Sequence, residues 1–468
     1  MDSGIDIQRG ASTSVSPPVS DLLRHDSRPV EPAILRIGGA LPPPGPVPAS
    51  SYTDPAYAKL EHEHVWSKCW QVVGREEDLP EIGDRKPYTC GPMSYIIIRS
   101  GADEFRALRN SCLHRGNQLC SAATTGESIR CSFHAWEWNV DGSLRNVPSR
   151  WDFPDVSDAA YRLPEARLAR WGGFLFINPD PNAAPLEASL GVLATDFRAQ
   201  DAADRFTLLH VRKKLRANWK VVLEAFLEAY HVIETHSDSM GFTGDANTQY
   251  DIYDDGSAHV SRLITPLAVP SPHLGETIGA REAGQQAVFA FGMAMPGVPQ
   301  PTITSGLTAR AEVAEWRRAT LGAAFGHDFS QASDSYMLDA IQYYMFPNFG
   351  PWLGEGLPVT YQFTPGADPN ESVMEIRLTA PLPDTGQRPP AAEMIELDYD
   401  TPISSVPAFG VLARVFDQDF SNLPTVQLGL RTAWANDANC VLGRYQECRI
   451  RHLHDVLEAK IGGSAPPA

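Results

Sequence analysis

Cys112-Leu113-His114, followed after sixteen residues by Cys131-Ser132-Phe133-His134, is the stretch on which the reading of this chain turns. Each short loop offers one thiolate and one imidazole. A structural Cys₂His₂ zinc site is one reading, but zinc motifs usually put two cysteines in one knuckle and two histidines in another. Loops that each mix the ligand types suit a [2Fe–2S] cluster in which one iron takes two Cys and the other two His. Neutral imidazoles in place of anionic thiolates raise the reduction potential of such a cluster. Cys120, between the loops, reads as a small buried thiol.

Short strand-like runs surround the loops, at 95–98, 104–107, 135–138 and 173–177, with a turn at Asp141-Gly142. They predict a small all-β domain over 52–185, ending in the Pro- and Asn-dense stretch 178–185. Upstream, residues 1–51 are rich in Ser and Pro and poor in large apolar side chains, which predicts a disordered arm. Downstream, 186–468 mixes a helix over 217–230 and helical segments near 310–323 and 441–460 with strands over 359–363 and 373–378. The pattern is α+β.

The chain has 468 residues, 43% apolar and 21% charged, with 57 acidic against 39 basic residues and a formal charge of −18. That balance works against binding a phosphate backbone, so no nucleic-acid partner is expected. Seven cysteines spread over this length do not resemble a disulfide framework, which points to a reducing compartment. No apolar run approaches the ~18 residues of a membrane span, and the first residues lack a secretory signal. A cytoplasmic protein without a membrane partner is expected.

The segment 217–231 carries apolar residues at 219, 222, 223, 226, 227 and 230, the spacing of a core-facing helix. Glu224, Glu228 and His231 fall on one edge of it at i, i+4 and i+7, where a carboxylate is costly without a cation or partner. His236 lies five residues past His231 and would be rotated about 140° away in an unbroken helix. The helix must end or distort between them for the rings to meet. Two imidazoles and a carboxylate from elsewhere would then form the facial triad of a non-haem Fe(II) oxygenase. Glu228-x-x-His231 is also half of a di-iron motif, with Glu61-x-x-His64 as a second copy. Because that copy precedes an all-β domain, Glu61 to His64 reads better as a solvated helix face with a partly buried His64.

Together, Trp70-Gln-Val-Val-Gly-Arg75, the two Cys-His loops, Gly172-Gly-Phe-Leu-Phe-Ile-Asn178, Asn218-Trp-Lys220 and Glu228-Ala-Tyr-His231 with His236 resemble the catalytic α subunit of a Rieske non-haem iron oxygenase, the aromatic ring-hydroxylating dioxygenase family. The resemblance covers nearly everything after the arm. It implies a Rieske domain followed by a helix-grip (START-like) catalytic domain with an antiparallel sheet. It also implies that Cys112, His114, Cys131 and His134 hold the [2Fe–2S] cluster, and that His231, His236 and a downstream Asp hold a mononuclear Fe(II). Spacing to Gln427-Leu-Gly-Leu430 selects Asp419, with Asp417 as runner-up. Glu228 takes the place of the family's more usual Asp, the carboxylate that links a cluster histidine of one subunit to an iron histidine of the next. Head-to-tail homotrimers, sometimes with a β subunit, are the implied assembly.

The implied activity is that of a terminal oxygenase that uses O₂ and electrons from NAD(P)H through a flavin reductase, a ferredoxin or both, since the chain shows no dinucleotide-binding glycine motif. The segments 288–296 and 341–352 are rich in Phe, Tyr and Met, which suits an apolar, aromatic or polycyclic substrate and a role in aromatic hydrocarbon catabolism. O- or N-demethylation, including of quaternary amines, is the alternative. No acidic cluster interleaves with those aromatics to form a cation cage. A zinc-stabilised ligand-binding protein and a plain Rieske electron carrier remain as readings from other classes. Arg115 and Arg130 could face an acidic electron donor, and the basic run 212–216 reads as a strand edge guarded by charge.

Overall fold

The computed structural model describes residues 16–198, 202–293, 295 and 297–462. Two antiparallel sheets form the N-terminal part. The larger has six strands in the order Gln71–Arg75, Phe174–Asn178, Glu165–Trp171, Glu104–Arg109, Met93–Gly101 and Arg85–Cys90. The smaller pairs Ser128–Arg130, Glu137–Asn139 and Leu144–Asn146. Ile96 and Ile98 of the first and Trp138 of the second meet in a fully buried cluster, together with Cys112 and Cys131. The loops that bear those cysteines therefore rise from a rigid double-sheet base.

The C-terminal part is an eight-stranded sheet ordered Gln249–Asp254, His259–Thr265, Ala340–Met345, Phe349–Leu353, Val359–Pro365, Ser372–Pro381, Arg205–Leu215 and Met394–Leu397. All neighbours are antiparallel except the last pair. Helices α1 (Trp219–Glu224), α2 (Leu412–Trp434) and α3 (Cys448–Ile461) carry or border the site. On α2, Phe416, Asp419, Phe420, Leu423, Gln427 and Leu430 are buried, a core-facing stripe at helical spacing that includes one acid and one amide. The two parts are fastened by polar contacts as well as by a shared core. Asn348 exchanges both of its amide bonds with the Val72 backbone, and Arg377 forks onto Asp78 at 2.7 Å through both nitrogens.

Three expectations are corrected here. The arm is ordered from Ser16 onward, while residues 1–15 lie outside the described residues. Val19 and Ile34 insert into a core with Trp70, Phe176 and Tyr343, and Val47–Pro48 pairs with Asn439–Cys440. Asp26, Ser27 and Glu31 also bond Ser335, Asp334 and Ser333 at the start of the helix Asp334–Leu338. A few well-placed anchors thus outweigh a composition that, averaged over the segment, cannot repay folding.

The basic run 212–216 is an edge only in its second half. Strand Arg205–Leu215 pairs with Ser372–Pro381 on one side and, from His210 to Lys213, with Met394–Leu397 on the other, and Lys213 is buried with its ammonium on the Asp398 and Tyr399 carbonyls.

Glu61 is not solvated. It is 2% exposed and takes the buried Lys220 ammonium at 2.5 Å and the Trp219 indole N–H at 3.2 Å. Trp219 in turn packs edge-on to Trp66 with 5.1 Å between ring centroids, so the Asn218-Trp-Lys220 motif is a structural rivet: Asn218 caps α1 through the Lys220 N–H.

Candidate metal centres

The helix predicted over 217–230 stops at Glu224. Two local bonds explain the break. The Ala229 N–H, which a continuing helix would give to Ala225, goes to the Tyr250 hydroxyl at 3.0 Å. The Glu228 carboxylate folds back onto the N–H groups of Tyr230 and His231, the side-chain competition that ends helices. A short helix, Val232–Thr235, then sets His231 at its start and His236 at its end. The two rings, which a straight helix would splay apart, lie 5.1 Å apart between centroids.

Asp419 completes the group from α2. Its Oδ1 is 3.0 Å from His236 Nε2 and 3.6 Å from His231 Nε2, and its side chain is 4% exposed. The three donor atoms lie within 4.8 Å of one another. Asp417 is excluded from this group because its carboxylate accepts the N–H groups of Ile403 and Ser404. The other ring nitrogens are anchored: His231 Nδ1 on Glu228 Oε1 at 2.6 Å and His236 Nδ1 on Gln418 Oε1 at 2.9 Å. Both Nε2 atoms are therefore aimed at Asp419 by outer partners, as metal-binding histidines are. Burial alone would lower the His231 pKa, but the Glu228 carboxylate outweighs it and pushes the ring up to about 9. The donor set of two imidazoles and one carboxylate fits a mononuclear iron with open positions.

The second cluster of ligands sits in the loops above the small sheet. His114 and His134 approach to 4.6 Å between centroids, and His114 stacks on Trp136. The His114 Nδ1 is buried with no hydrogen-bond partner, while the His134 Nε2 is turned outward to Arg115 at 3.0 Å. Cys112 is pushed up by burial, whereas Cys131 is drawn down against burial by the N–H groups of His134 and Phe133. An unpartnered inward nitrogen beside two thiols ringed by backbone N–H donors fits a [2Fe–2S] cluster whose sulfurs need such donors. Cys120 is buried and its thiol lies on the Ala122 carbonyl.

A cavity of about 590 Å³ adjoins His231 and Asp419. The aromatic segments picked out by composition do not line it. Strands Ala340–Met345 and Phe349–Leu353 are largely core, and helix Ala280–Met293 packs on helix Ala309–Phe325, with Ala294 and Pro296 outside the described residues. Acids reach it instead, Glu224 and Glu228 from the segment that leads to His231 and Glu447 from the start of α3. Gln418 and Glu447 escaped the sequence reading because neither lies in a ligand-like pattern.

The two matched regions agree with this geometry. The description "Rieske [2Fe-2S] domain" matches residues 69–156, and "Ring hydroxylating alpha subunit (catalytic domain)" matches residues 197–463. Fold and sites thus define an α+β protein with a Rieske domain ahead of an iron-binding catalytic domain. The chain belongs to the ring-hydroxylating α-subunit family, whose two domains take a [2Fe–2S] cluster and a mononuclear iron.

Among curated relatives, the carnitine monooxygenase oxygenase subunit of Escherichia coli (strain K12) is 34% identical over 41% of this chain and 52% of its own length. The chlorobenzene dioxygenase α subunit of Cupriavidus sp. (strain PS12) is 30% identical over 39% and 42%. The matched stretch spans about half the length of these relatives or less. Naphthalene 1,2-dioxygenase of Rhodococcus sp. shares the fold with a TM-score of 0.59 at 18% identity, covering 90% of this chain and 95% of its own. Among the described residues no helix is long and apolar enough to cross a membrane.

Proposed function

We propose that this chain is the terminal oxygenase component of a multicomponent system that inserts oxygen from O₂ into a C–H bond of an N-methylated or quaternary amine. The observation that carries the reading is the convergence of His231 Nε2, His236 Nε2 and Asp419 Oδ1, with both outer ring nitrogens held by Glu228 and Gln418. In this reading Cys112, His114, Cys131 and His134 hold the cluster, and His231, His236 and Asp419 hold the iron. The bound metals supply one-electron storage and O₂ activation. One oxygen atom enters the C–H bond, and the other leaves as water with two protons and the two electrons that NAD(P)H delivers through a reductase, a ferredoxin or both.

The chain's own groups set the stage for that chemistry. Glu228 keeps a proton on His231 Nδ1 and so fixes the tautomer that presents Nε2, and Gln418 orients His236 in the same way. In this reading Glu228, at the cavity wall beside the half-exposed Tyr230, would also meet a cluster histidine of another subunit. Phe133, 58% exposed beneath the Arg115 guanidinium, offers a docking face beside the cluster. We therefore read the assembly as a head-to-tail homotrimer; a solved quaternary ammonium Rieske monooxygenase is described with inter-subunit electron transfer.

The carboxylates of the cavity favour a cationic substrate, as do relatives named for carnitine and choline. A second reading, hydroxylation of an apolar arene, rests on the aromatic cluster Phe226, Tyr361, Phe363, Phe409 and Phe416 close to Asp419, and on relatives named for chlorobenzene and biphenyl. The test is elemental analysis with oxygen uptake. The purified protein should hold about three irons and two acid-labile sulfides per chain. It should consume O₂ with a surrogate reductase when trimethylammonium compounds are added. Zinc alone in the protein would end the proposal, and uptake driven only by arenes would transfer it to the second reading.

A further inference from the structure

The cavity beside His231 and Asp419 is walled largely by aliphatic side chains, including Val221, Leu423, Leu442 and Ile450, and among the described residues none that lines it is a lysine or arginine. Its three glutamates are not equivalent. Glu228 is committed to the His231 ring and to two backbone N–H groups. Glu447 accepts the Gly443 N–H, and its carboxyl is pushed up by burial and then by Glu228 and Glu224.

Glu224 differs from both. Its side chain is 14% exposed, and it is clamped from opposite ends of the sequence: the Tyr52 hydroxyl reaches both oxygens at 3.1 Å, and His454 Nε2 meets Oε1 at 2.8 Å. The Tyr52 contact is a neutral hydrogen bond, and the His454 contact is an ion pair only when that ring is protonated, so with a neutral ring the charge of Glu224 has no counter-ion in these two clamps. The charge of Glu224 is felt across the cavity, where the Cys440 thiol is pushed up to about 11 by burial first and Glu224 next.

A carboxylate set in an aliphatic wall is costly until a cation joins it. A methylated ammonium suits both features, because its charge is spread under methyl groups that fit the apolar wall. A zwitterion such as carnitine would bring a carboxylate into a space that already holds three glutamates and, among its described lining residues, no lysine or arginine. We propose that Glu224, positioned by Tyr52 and His454, is the specificity-determining residue of this cavity and selects alkylammonium substrates that carry no carboxylate of their own. This deepens the amine reading above and rests on it.

The test is calorimetric titration of the anaerobic holoenzyme, its cluster absorbance and iron content checked in the same sample. The ligands are choline, its neutral isostere 3,3-dimethylbutan-1-ol, and carnitine. The native protein should bind choline about 10- to 100-fold tighter than either of the others, and Glu224→Gln should lose that advantage while leaving the isostere unchanged. Native protein that prefers carnitine or the isostere, or Glu224→Gln that binds choline as the native protein does, overturns the proposal. If Glu224→Gln fails to retain its metals, Tyr52→Phe carries the test: weakened choline binding with the isostere unchanged supports it, and undiminished choline binding sinks it. Native material without cluster or iron defeats the oxygenase reading itself. Material that holds both and shows no preference for choline defeats only this inference.

Discussion

Among the described residues, two groups of two histidines and one aspartate come together, and they are built differently. In His231, His236 and Asp419, both rings turn the same nitrogen, Nε2, toward the carboxylate, and both outer nitrogens are held by separate acceptors. In Asp254, His259 and His452, one carboxylate oxygen takes His259 Nδ1 and His452 Nε2, each at 2.8 Å, and His259 Nε2 is left buried without a partner. Burial works against the Asp254 charge, but the hydrogen bonds from the two rings hold its carboxyl down to about 2. The second group is a hydrogen-bonded tie between a β-hairpin and α3. The same residue types become a candidate metal site only when outer acceptors take the Nδ1 protons of both rings and leave both Nε2 atoms turned toward the carboxylate.

The sharpest way to break this comparison is to remove the carboxylate from each group. Asp419→Ala should lose the mononuclear iron and at least about 10³-fold in turnover, whereas Asp254→Ala should keep its iron content and its rate. Iron analysis with oxygen uptake reads both, and equal iron loss in the two variants would erase the distinction. Glu228→Ala should lower turnover by about a hundredfold or more with both metals retained, measured by iron, sulfide and single-turnover rates. Full activity at unchanged metal content would remove Glu228 from the link between subunits.

A smaller effect is expected one atom further out. Gln418→Leu should weaken Fe(II) affinity by about tenfold, measured by chelator competition, because the His236 ring loses its orienting acceptor.

Acidity separates the groups next. In the metal-free chain His231 titrates at about 9, above the ordinary 6.5, so it is protonated further in the folded than in the unfolded state. That contribution to stability is complete below pH 6.5 and is lost as pH rises through 9. The urea midpoint of metal-free protein should therefore fall over that window. Fe(II) at Nε2 displaces the proton and should flatten the profile. The smallest change is expected for His452→Ala, about 1–2 kcal/mol of stability with iron content untouched, read from denaturant unfolding.

Much of the candidate site can be picked out before folding is considered. The two Cys-His loops announce themselves because their ligands are close in sequence. The edge bearing Glu228 and His231 shows because acids on a buried helical face demand a partner. Gln418 carries no such signal: an amide between two aspartates becomes an orienting group only once α2 is laid against the Val232–Thr235 turn. Glu61 and Lys220 bury their charges on each other across 159 positions, a pairing that no local pattern encodes. The arm misleads in the opposite way, since its packing rests on isolated anchors such as Val19 and Ile34 rather than on average composition.

Local sequence by itself determined the ligand types, their division between a β domain and an α+β domain, and the need for a break between His231 and His236, because short-range spacing sets which side chains can share a face. Only the tertiary structure decided between Asp419 and Asp417, placed Glu224 between Tyr52 and His454, and drew carboxylates rather than the aromatic runs around the cavity. Those outcomes depend on contacts between residues far apart in the chain, and such contacts are settled by how whole elements bury their surfaces and satisfy their polar groups together.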